Sequence, residues 1–487
     1  MSTVSEPETV PTSTIHKGEV PFYREKGQAQ PRSVKGIFRS IKWWLMIILL
    51  GWWHLAPFMR WDRGPGAPDQ AILIDMAGRR AYFFNIEIWP QEVYYVTGLL
   101  LIAAISLFLM SALAGRVWCG FLCWQTVYTD LFQKIEHWVL GDRNARIAFG
   151  RQPMTAGKAA RQGLVYLLWA VVSFLCGLGL VLWFGDAFVI VREIFTLQAA
   201  PATYLFIGVI GGFCFLLAGF ARERVCVYMC PYSRFQSAML DEHSLIVSYE
   251  AWRGEPRAPA PKDRNFEGRG HCIDCKLCVQ SCPTGVDIRF GNQLACIGCG
   301  LCIDACDAVM DKFGLPRGLI SLDSSANQEA RNAGATPPGK RIVRPRTILY
   351  MAILTIVGTV MLTALLNRST IEVNVLHERS PLFVQLSDGG VRNGYSYKIL
   401  NMIREDRTYI LTTQGIDGAT IDVVGGDSNA TQTELEVEGD TVGTFRIFVS
   451  APDSSLKSAR QPVVFVLTEK STGQVIRNES MFAAPDR

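Results

Sequence analysis

The residues best able to do chemistry are cysteines, and eight of the chain's 14 fall between positions 272 and 306. Cys272, Cys275, Cys278 and Cys282, followed by Pro283, form one C-x2-C-x2-C-x3-C run, and Cys296, Cys299, Cys302 and Cys306 form a second. Thiolates at this spacing wrap three corners of an iron–sulfur cube from one tight loop. In two-cluster ferredoxins the fourth cysteine of each run crosses to the other cluster. On that rule Cys272, Cys275, Cys278 and Cys306 hold one [4Fe-4S] cluster, and Cys282, Cys296, Cys299 and Cys302 hold the other. A zinc ribbon needs only two C-x2-C pairs and has no use for the third cysteine of each run. Disulfides need an oxidising compartment, against which the charge pattern argues. Asp307 stands where the first run has Pro283, which predicts more polar surroundings for the second cluster.

Four more cysteines come in two matching pairs. Cys119 and Cys123 lie in Gly115-Arg116-Val117-Trp118-Cys119-Gly120-Phe121-Leu122-Cys123-Trp124-Gln125, and Cys226 and Cys230 in Arg222-Glu223-Arg224-Val225-Cys226-Val227-Tyr228-Met229-Cys230-Pro231-Tyr232. Both motifs follow an apolar run. Cysteines four apart share one face of a helix, so each pair can offer two thiolates to a soft metal ion, and the two pairs together a four-thiolate site. Arg116, Arg222 and Arg224 are expected to favour thiolate over thiol. The plainer alternative is a packing role for small, mildly apolar residues. Cys176 and Cys214 stand alone within apolar runs, and packing is the reading for both. His54 has no facing histidine within a span, so a buried haem is not expected.

The elements that must position these groups follow from hydropathy. The chain has 487 residues, 49% of them hydrophobic. Its apolar residues gather in runs at 38–57, 93–113, 164–184, 203–220 and 347–366, each near the ~20 residues that cross a bilayer core. The fold class is therefore an α-helical membrane protein with five transmembrane helices. Tryptophans crowd the ends of these runs, as in an aromatic belt. A net charge of +4 does not point to nucleic acid, because the basic residues sit beside the spans. Lys and Arg cluster before the first span, between the second and third, and before the fifth. The positive-inside rule puts those segments and the cysteine-rich stretch in the cytoplasm and the C-terminus outside. Arg60, Arg63, Arg79 and Arg80, between the first two spans, sit awkwardly with that rule.

The domains read as a disordered tail over 1–37, spans one to four with both Cys-x3-Cys motifs over 38–250, and a ferredoxin-like segment over 251–322. A linker over 323–346 and the fifth span over 347–366 follow. Residues 370–487 alternate apolar and polar in short runs between Gly, Asn and Asp, as in Ile371–Val375, Tyr409–Thr413, Gly443–Val449 and Pro462–Leu467. That pattern predicts an antiparallel β-sandwich of immunoglobulin size. It holds no cysteine and no catalytic constellation, so an interaction module is expected.

With these parts in place the chain resembles the FixG/RdxA/CcoG family of cytochrome oxidase accessory proteins over nearly its whole length. The marks are Trp118–Val127, Cys226–Tyr232 and Asn393–Asn401. The family usually has Cys-Pro in both membrane motifs. Here Trp124 replaces the first proline, which leaves the thiols but questions the local helix geometry. The resemblance implies reduction of Cu(II) to Cu(I) for assembly of the cbb-type haem–copper oxidase in the bacterial inner membrane, with copper at Cys119, Cys123, Cys226 and Cys230. Assembly factors and copper chaperones or transporters would be its partners. The cytoplasmic electron donor is unknown, and a homodimer is left open. Cuprous ion is soft and favours thiolate ligands. Two rivals stand beside this reading, a membrane electron conduit to a quinone or partner reductase and a non-enzymatic assembly scaffold.

Overall fold

The computed structural model describes residues 28–64, 66–261, 265–425 and 430–485. The expected disordered tail lies outside them as far as residue 27. The chain divides into two units, residues up to Met361 and residues from Leu362 onward.

Five helices are long and apolar enough to cross a membrane, Ile37–Phe58, Pro90–Ala114, Ala156–Val181, Pro201–Ala221 and Pro345–Leu366. They match the five apolar runs. The third starts well before its apolar run because Thr155 caps it, the hydroxyl accepting from Lys158 N at 3.2 Å. The third and fourth spans run antiparallel in close contact. A Cβ at Gly177 would lie 2.4 Å from the Ile207 carbonyl oxygen, and one at Gly211 2.8 Å from that of Ser173. Small residues let the two backbones approach in this way.

The segment between the second and third spans, which reads as a basic loop, contains a helix over Trp124–Leu140 that packs within the bundle. Tyr128, Phe132, Ile135 and Val139 fall at helical spacing and join the third and fourth spans in one core. Phe132 is fully buried and stacks on Trp169 with ring centroids 5.1 Å apart. The other face carries Asp130, which pairs with Arg39 at 2.9 Å and Lys42 at 3.6 Å on the first span. Burial alone would push the Asp130 carboxyl up, but Lys42 and Arg39 outweigh it and hold it below the usual range.

At the opposite end of the bundle, residues between the first two spans form a three-stranded antiparallel sheet of β1 (Ile72–Asp75), β2 (Arg80–Phe83) and β3 (Ile86–Ile88). Three of the four arginines that sat awkwardly with the charge rule are engaged within the protein. Arg60 pairs with Asp186 at 2.6 Å, Arg80 with Glu87 at 3.0 Å, and Arg63 donates to the carbonyls of Pro68, Gln70, Ala71 and Phe84.

The cysteine-rich segment is closed at its base by β4 (Ile246–Tyr249) pairing antiparallel with β5 (Ile320–Asp323). Its longer helix, Leu301–Phe313, presents Asp304 to the start of the first span. That carboxylate accepts from Phe38 N at 3.2 Å and Arg39 N at 2.7 Å, capping a helix whose own N-cap, Gly36, has no side chain to do so. A Cβ at Gly36 would lie 2.3 Å from Asp304 Cγ, so only glycine permits this contact. Beyond β5 the chain forms a further helix, Ser325–Asn332.

The second unit is a β-sandwich. One sheet has the order β10 (Thr420–Val423), β12 (Thr441–Ala451), β8 (Val391–Asn401), β6 (Ile371–His377), with β7 (Val384–Gln385) beside β8. The other runs β11 (Gln432–Val437), β9 (Arg407–Gln414), β13 (Arg460–Glu469), β14 (Val475–Ala483). The family mark Asn393–Asn401 lies in strand β8. Tyr395, Tyr397 and Ile399 are fully buried, and Asn393 exchanges two hydrogen bonds with the backbone of Ala483, at 2.8 and 2.9 Å. These residues serve folding.

Candidate functional site

The eight clustered cysteines surround two separate hollows. One is lined by Cys272, Cys275, Cys278 and Cys306 with Tyr249, Arg289 and Met310. The other is lined by Cys282, Cys296, Cys299 and Cys302 with Val247, Val286 and Ile288. Each run thus sends its fourth cysteine to the other hollow, the crossover grouping expected from the spacing. The apolar walls fit a cluster. Burial pushes the Cys278 and Cys296 thiols up to about 12, so ionised sulfur is stable there only against a cationic metal core. Cys306 is also pushed up by burial, and then by Cys278, Cys272 and Cys275 beside it.

The two Cys-x3-Cys motifs lie side by side against the second hollow. Cys119 is buried in one apolar cluster with Ile297, Cys299 and Leu301, against which Cys226 and Tyr232 pack. Gly120 is pressed against the cysteine loop, since a Cβ there would lie 2.9 Å from the Ile297 carbonyl oxygen and 3.0 Å from Cys299 Cα. Arg116 joins the parts. Its guanidinium donates to the carbonyls of Leu294 and Cys296 in the cysteine loop, and to the Ser233 carbonyl and Ser237 hydroxyl after the second motif. Cys119 Sγ donates to Gln236 Oε1 at 2.9 Å.

Neither motif is an α-helical turn. Trp118–Leu122 and Val225–Met229 are π-turns, closed by Cys123 N donating to Trp118 O at 2.9 Å and Cys230 N to Val225 O at 2.8 Å. Such turns gather at functional sites. Cys123 and Cys230 are extended and precede the helices that start at Trp124 and Pro231. Trp124 therefore occupies the first helical position, as Pro231 does. The missing proline does not alter the geometry, because that position's N–H has no helical partner in any case.

The expected role of the arginines is corrected. Burial dominates at the membrane thiols and pushes Cys119 and Cys226 up to about 12, with only Arg116 opposing. Arg222 is turned away. It donates to Gly219 O at 2.7 Å, pairs with Glu136 and lies over the Trp169 ring. Among the described residues no three cysteine, histidine or carboxylate side chains converge on a single-ion site. The four membrane thiols share a neighbourhood without closing on one point. Cys176 and Cys214, read as isolated, lie in contact within the bundle. Nothing in the sequence signalled this, because which faces of two spans meet is a tertiary matter.

Profiles of known families match three stretches. Residues 221–325 match a 4Fe-4S dicluster domain, residues 96–146 a 4Fe-4S binding domain, and residues 361–485 the IG-like fold at the C-terminal of FixG. The chain is 44% identical to Protein RdxA of Cereibacter sphaeroides over 437 residues, covering 89% of this chain and 92% of RdxA. It is 42% identical to nitrogen fixation protein FixG of Rhizobium meliloti over 480 residues, covering 93% and 92%. Protein RdxB of C. sphaeroides is 41% identical over 466 residues, covering 95% and 97%. Five helices long and apolar enough to cross a membrane, two four-cysteine hollows, a FixG-type sandwich and 41–44% identity over 89–95% of its length make this chain a member of the FixG/RdxA family of membrane-bound iron–sulfur redox proteins.

Proposed function

We propose that the chain is a cupric reductase of the bacterial inner membrane, which takes electrons at its cysteine-rich segment and reduces Cu(II) at Cys119, Cys123, Cys226 and Cys230. The observation that carries this reading is the packing of Cys119 with Cys299 in one buried cluster, with Cys226, partly buried, against it. Bound at the two hollows, [4Fe-4S] clusters would supply one electron each at potentials low enough to reduce cupric ion. The chain's own residues do the rest. Arg116 and Gly120 fix the first motif against the loop of the second hollow, which keeps the transfer distance short. Sulfur ligands drawn from these four thiols around the ion would stabilise Cu(I) over Cu(II) and so raise the copper potential. Because Cys119 and Cys226 are protonated at neutral pH, an incoming ion must displace protons, and its affinity rises with pH.

In this reading the cluster end faces the cytoplasm and the sandwich the periplasm, on the ground of the basic residues flanking the spans. The Cu(I) product would pass to copper chaperones or transporters that mature a cbb-type oxidase. Purified protein with both clusters assembled, given dithionite and Cu(II) beside a Cu(I)-specific chelator, should turn over copper. Oxidation by a quinone alone would favour the electron conduit, and no turnover with either acceptor the scaffold.

A further inference from the structure

The third and fourth spans hold a further pair of thiols, apart from Cys119, Cys123, Cys226 and Cys230 at the edge of the bundle (the edge site). Cys176 on the third span and Cys214 on the fourth are in contact at the centre of the bundle, and both are buried. The close backbone approaches at Gly177 and Gly211 lie within three residues of them, so they are held on packed elements. Two hydroxyls reach in from around them. Tyr128, from the helix Trp124–Leu140, lies beside Cys176, and Ser173 lies beside Cys214. These residues are only 2% and 4% exposed, and neither hydroxyl makes a hydrogen bond of normal geometry. The Trp124 indole also reaches Cys176, and Trp124 directly follows Cys123 of the edge site.

We propose that Cys176 and Cys214 form a two-thiolate site for a soft monovalent d10 cation, Cu(I) or its redox-inert analogue Ag(I). Two sulfurs are enough for such an ion, which accepts linear coordination, whereas zinc wants four ligands. Binding takes up one M⁺ and releases both thiol protons, leaving a complex with one net negative charge and no change of oxidation state. An anion in an apolar bundle needs donors, and the Tyr128 hydroxyl, the Ser173 hydroxyl and the Trp124 N–H are the donors to hand. A disulfide would accept poorly from them and leave two hydroxyls buried without a partner. Pure packing of two thiols leaves the same hydroxyls unexplained. The site extends the proposed function by one station deeper into the bundle, yet it needs only a supply of Cu(I) and not the reductase step.

The test uses full-length protein in detergent with both clusters assembled, titrated anaerobically with Cu(I) and, separately, with Ag(I) against a competing chelator. The variant Cys119→Ser/Cys123→Ser/Cys226→Ser/Cys230→Ser isolates the pair from the edge site. It should retain one tightly held ion per chain, and adding Cys176→Ser or Cys214→Ser should remove that ion. Copper-edge X-ray absorption should show two sulfur neighbours. In the otherwise unaltered chain, Cys176→Ala should lower the stoichiometry by one, with cluster iron unchanged as the check on folding. Tyr128→Phe should keep the stoichiometry and weaken affinity several-fold. An edge-site variant that folds and binds no ion, or Cys176→Ala and Cys214→Ser variants with undiminished stoichiometry, would overturn the pair. So would a Cys176–Cys214 disulfide recovered from the anaerobic protein. Failure of copper reduction with the pair's ion retained would count against the reductase alone.

Discussion

The two Cys-x3-Cys motifs follow one backbone path with different side chains. Each preceding span ends at a residue of positive φ, Gly115 at φ 60° and ψ −127°, Arg222 at φ 47° and ψ −120°. A π-turn, an extended cysteine and a new helix follow in both. Glycine takes the positive φ without strain. Arginine does not, and at position 222 the cost is offset by its pairing with Glu136, its bond to Gly219 O and the Trp169 ring. The surroundings then diverge. In the first motif Cys119, Gly120 and Phe121 are buried against the cysteine loop, whereas in Val225–Met229 no residue is more than partly buried, Cys226 touching the cluster from its edge and Met229 being 62% exposed. The path that sets out the thiols is shared, and the two copies have specialised. On the proposed function the first motif receives the electron and the second admits the ion.

Asp130→Asn should have the largest effect on the scaffold beneath both motifs. It leaves the buried Lys42 and the partly buried Arg39 without a counter-charge, and breaking such a network costs up to about 3–5 kcal/mol. Because the Asp130 pKa is lowered by folding, its contribution is present above the ordinary carboxylate range and lost as pH falls through the lowered value. The wild type should therefore lose stability on acidification more steeply than the variant, which thermal unfolding in detergent will show.

Gly120→Val attacks the buried motif alone. Its side chain meets the Cys299 backbone, and overpacking of this kind costs about 1–3 kcal/mol. Cluster electron paramagnetic resonance should change for the second hollow and not the first. Val227→Ala at the exposed motif, one residue after the cysteine as Gly120 is, should leave both signals unchanged.

Gly115→Ala tests the shared path. It forces an L-residue to positive φ without the support Arg222 has, and its Cβ would lie 2.7 Å from the Leu245 carbonyl oxygen. A loss of about 1–2 kcal/mol is expected. Trp124→Pro should disturb the backbone least. Cys123 is already extended, as a residue before proline must be, so what is lost is side-chain contact: the rings of Trp53 at 4.6 Å and Tyr128 at 5.2 Å, about 0.5–1.5 kcal/mol each, and the indole beside Cys176.

What the sequence made legible was local. Cluster spacing is a property of one loop, so Cys282 and Cys306 could be assigned to opposite hollows in advance. Alternation along Gly443–Val449 reports a half-buried strand, and the apolar runs report the spans. What escaped depends on rotation and depth. Tyr128, Phe132 and Ile135 form a helical stripe, but charges at Asp130, Lys134 and Glu136 made the segment read as a loop, because the partners of Asp130 and Glu136 come from distant elements. The direction of Arg222 depends on an unusual φ that nothing nearby encodes. The meeting of Cys176 with Cys214 depends on which faces of two uniformly apolar helices touch, and hydropathy is silent on that.

The central claim is that electrons pass from the clustered cysteines to copper held at the paired motifs. The most direct measurement mixes dithionite-reduced protein, freed of excess reductant, with Cu(II) and follows cluster absorbance in the wild type and in Cys226→Ser/Cys230→Ser. Reoxidation coupled one-to-one to Cu(I) formation in the wild type, and slowed at least tenfold in the variant with its iron content intact, is the expected result. Equal rates in the two proteins would contradict the account.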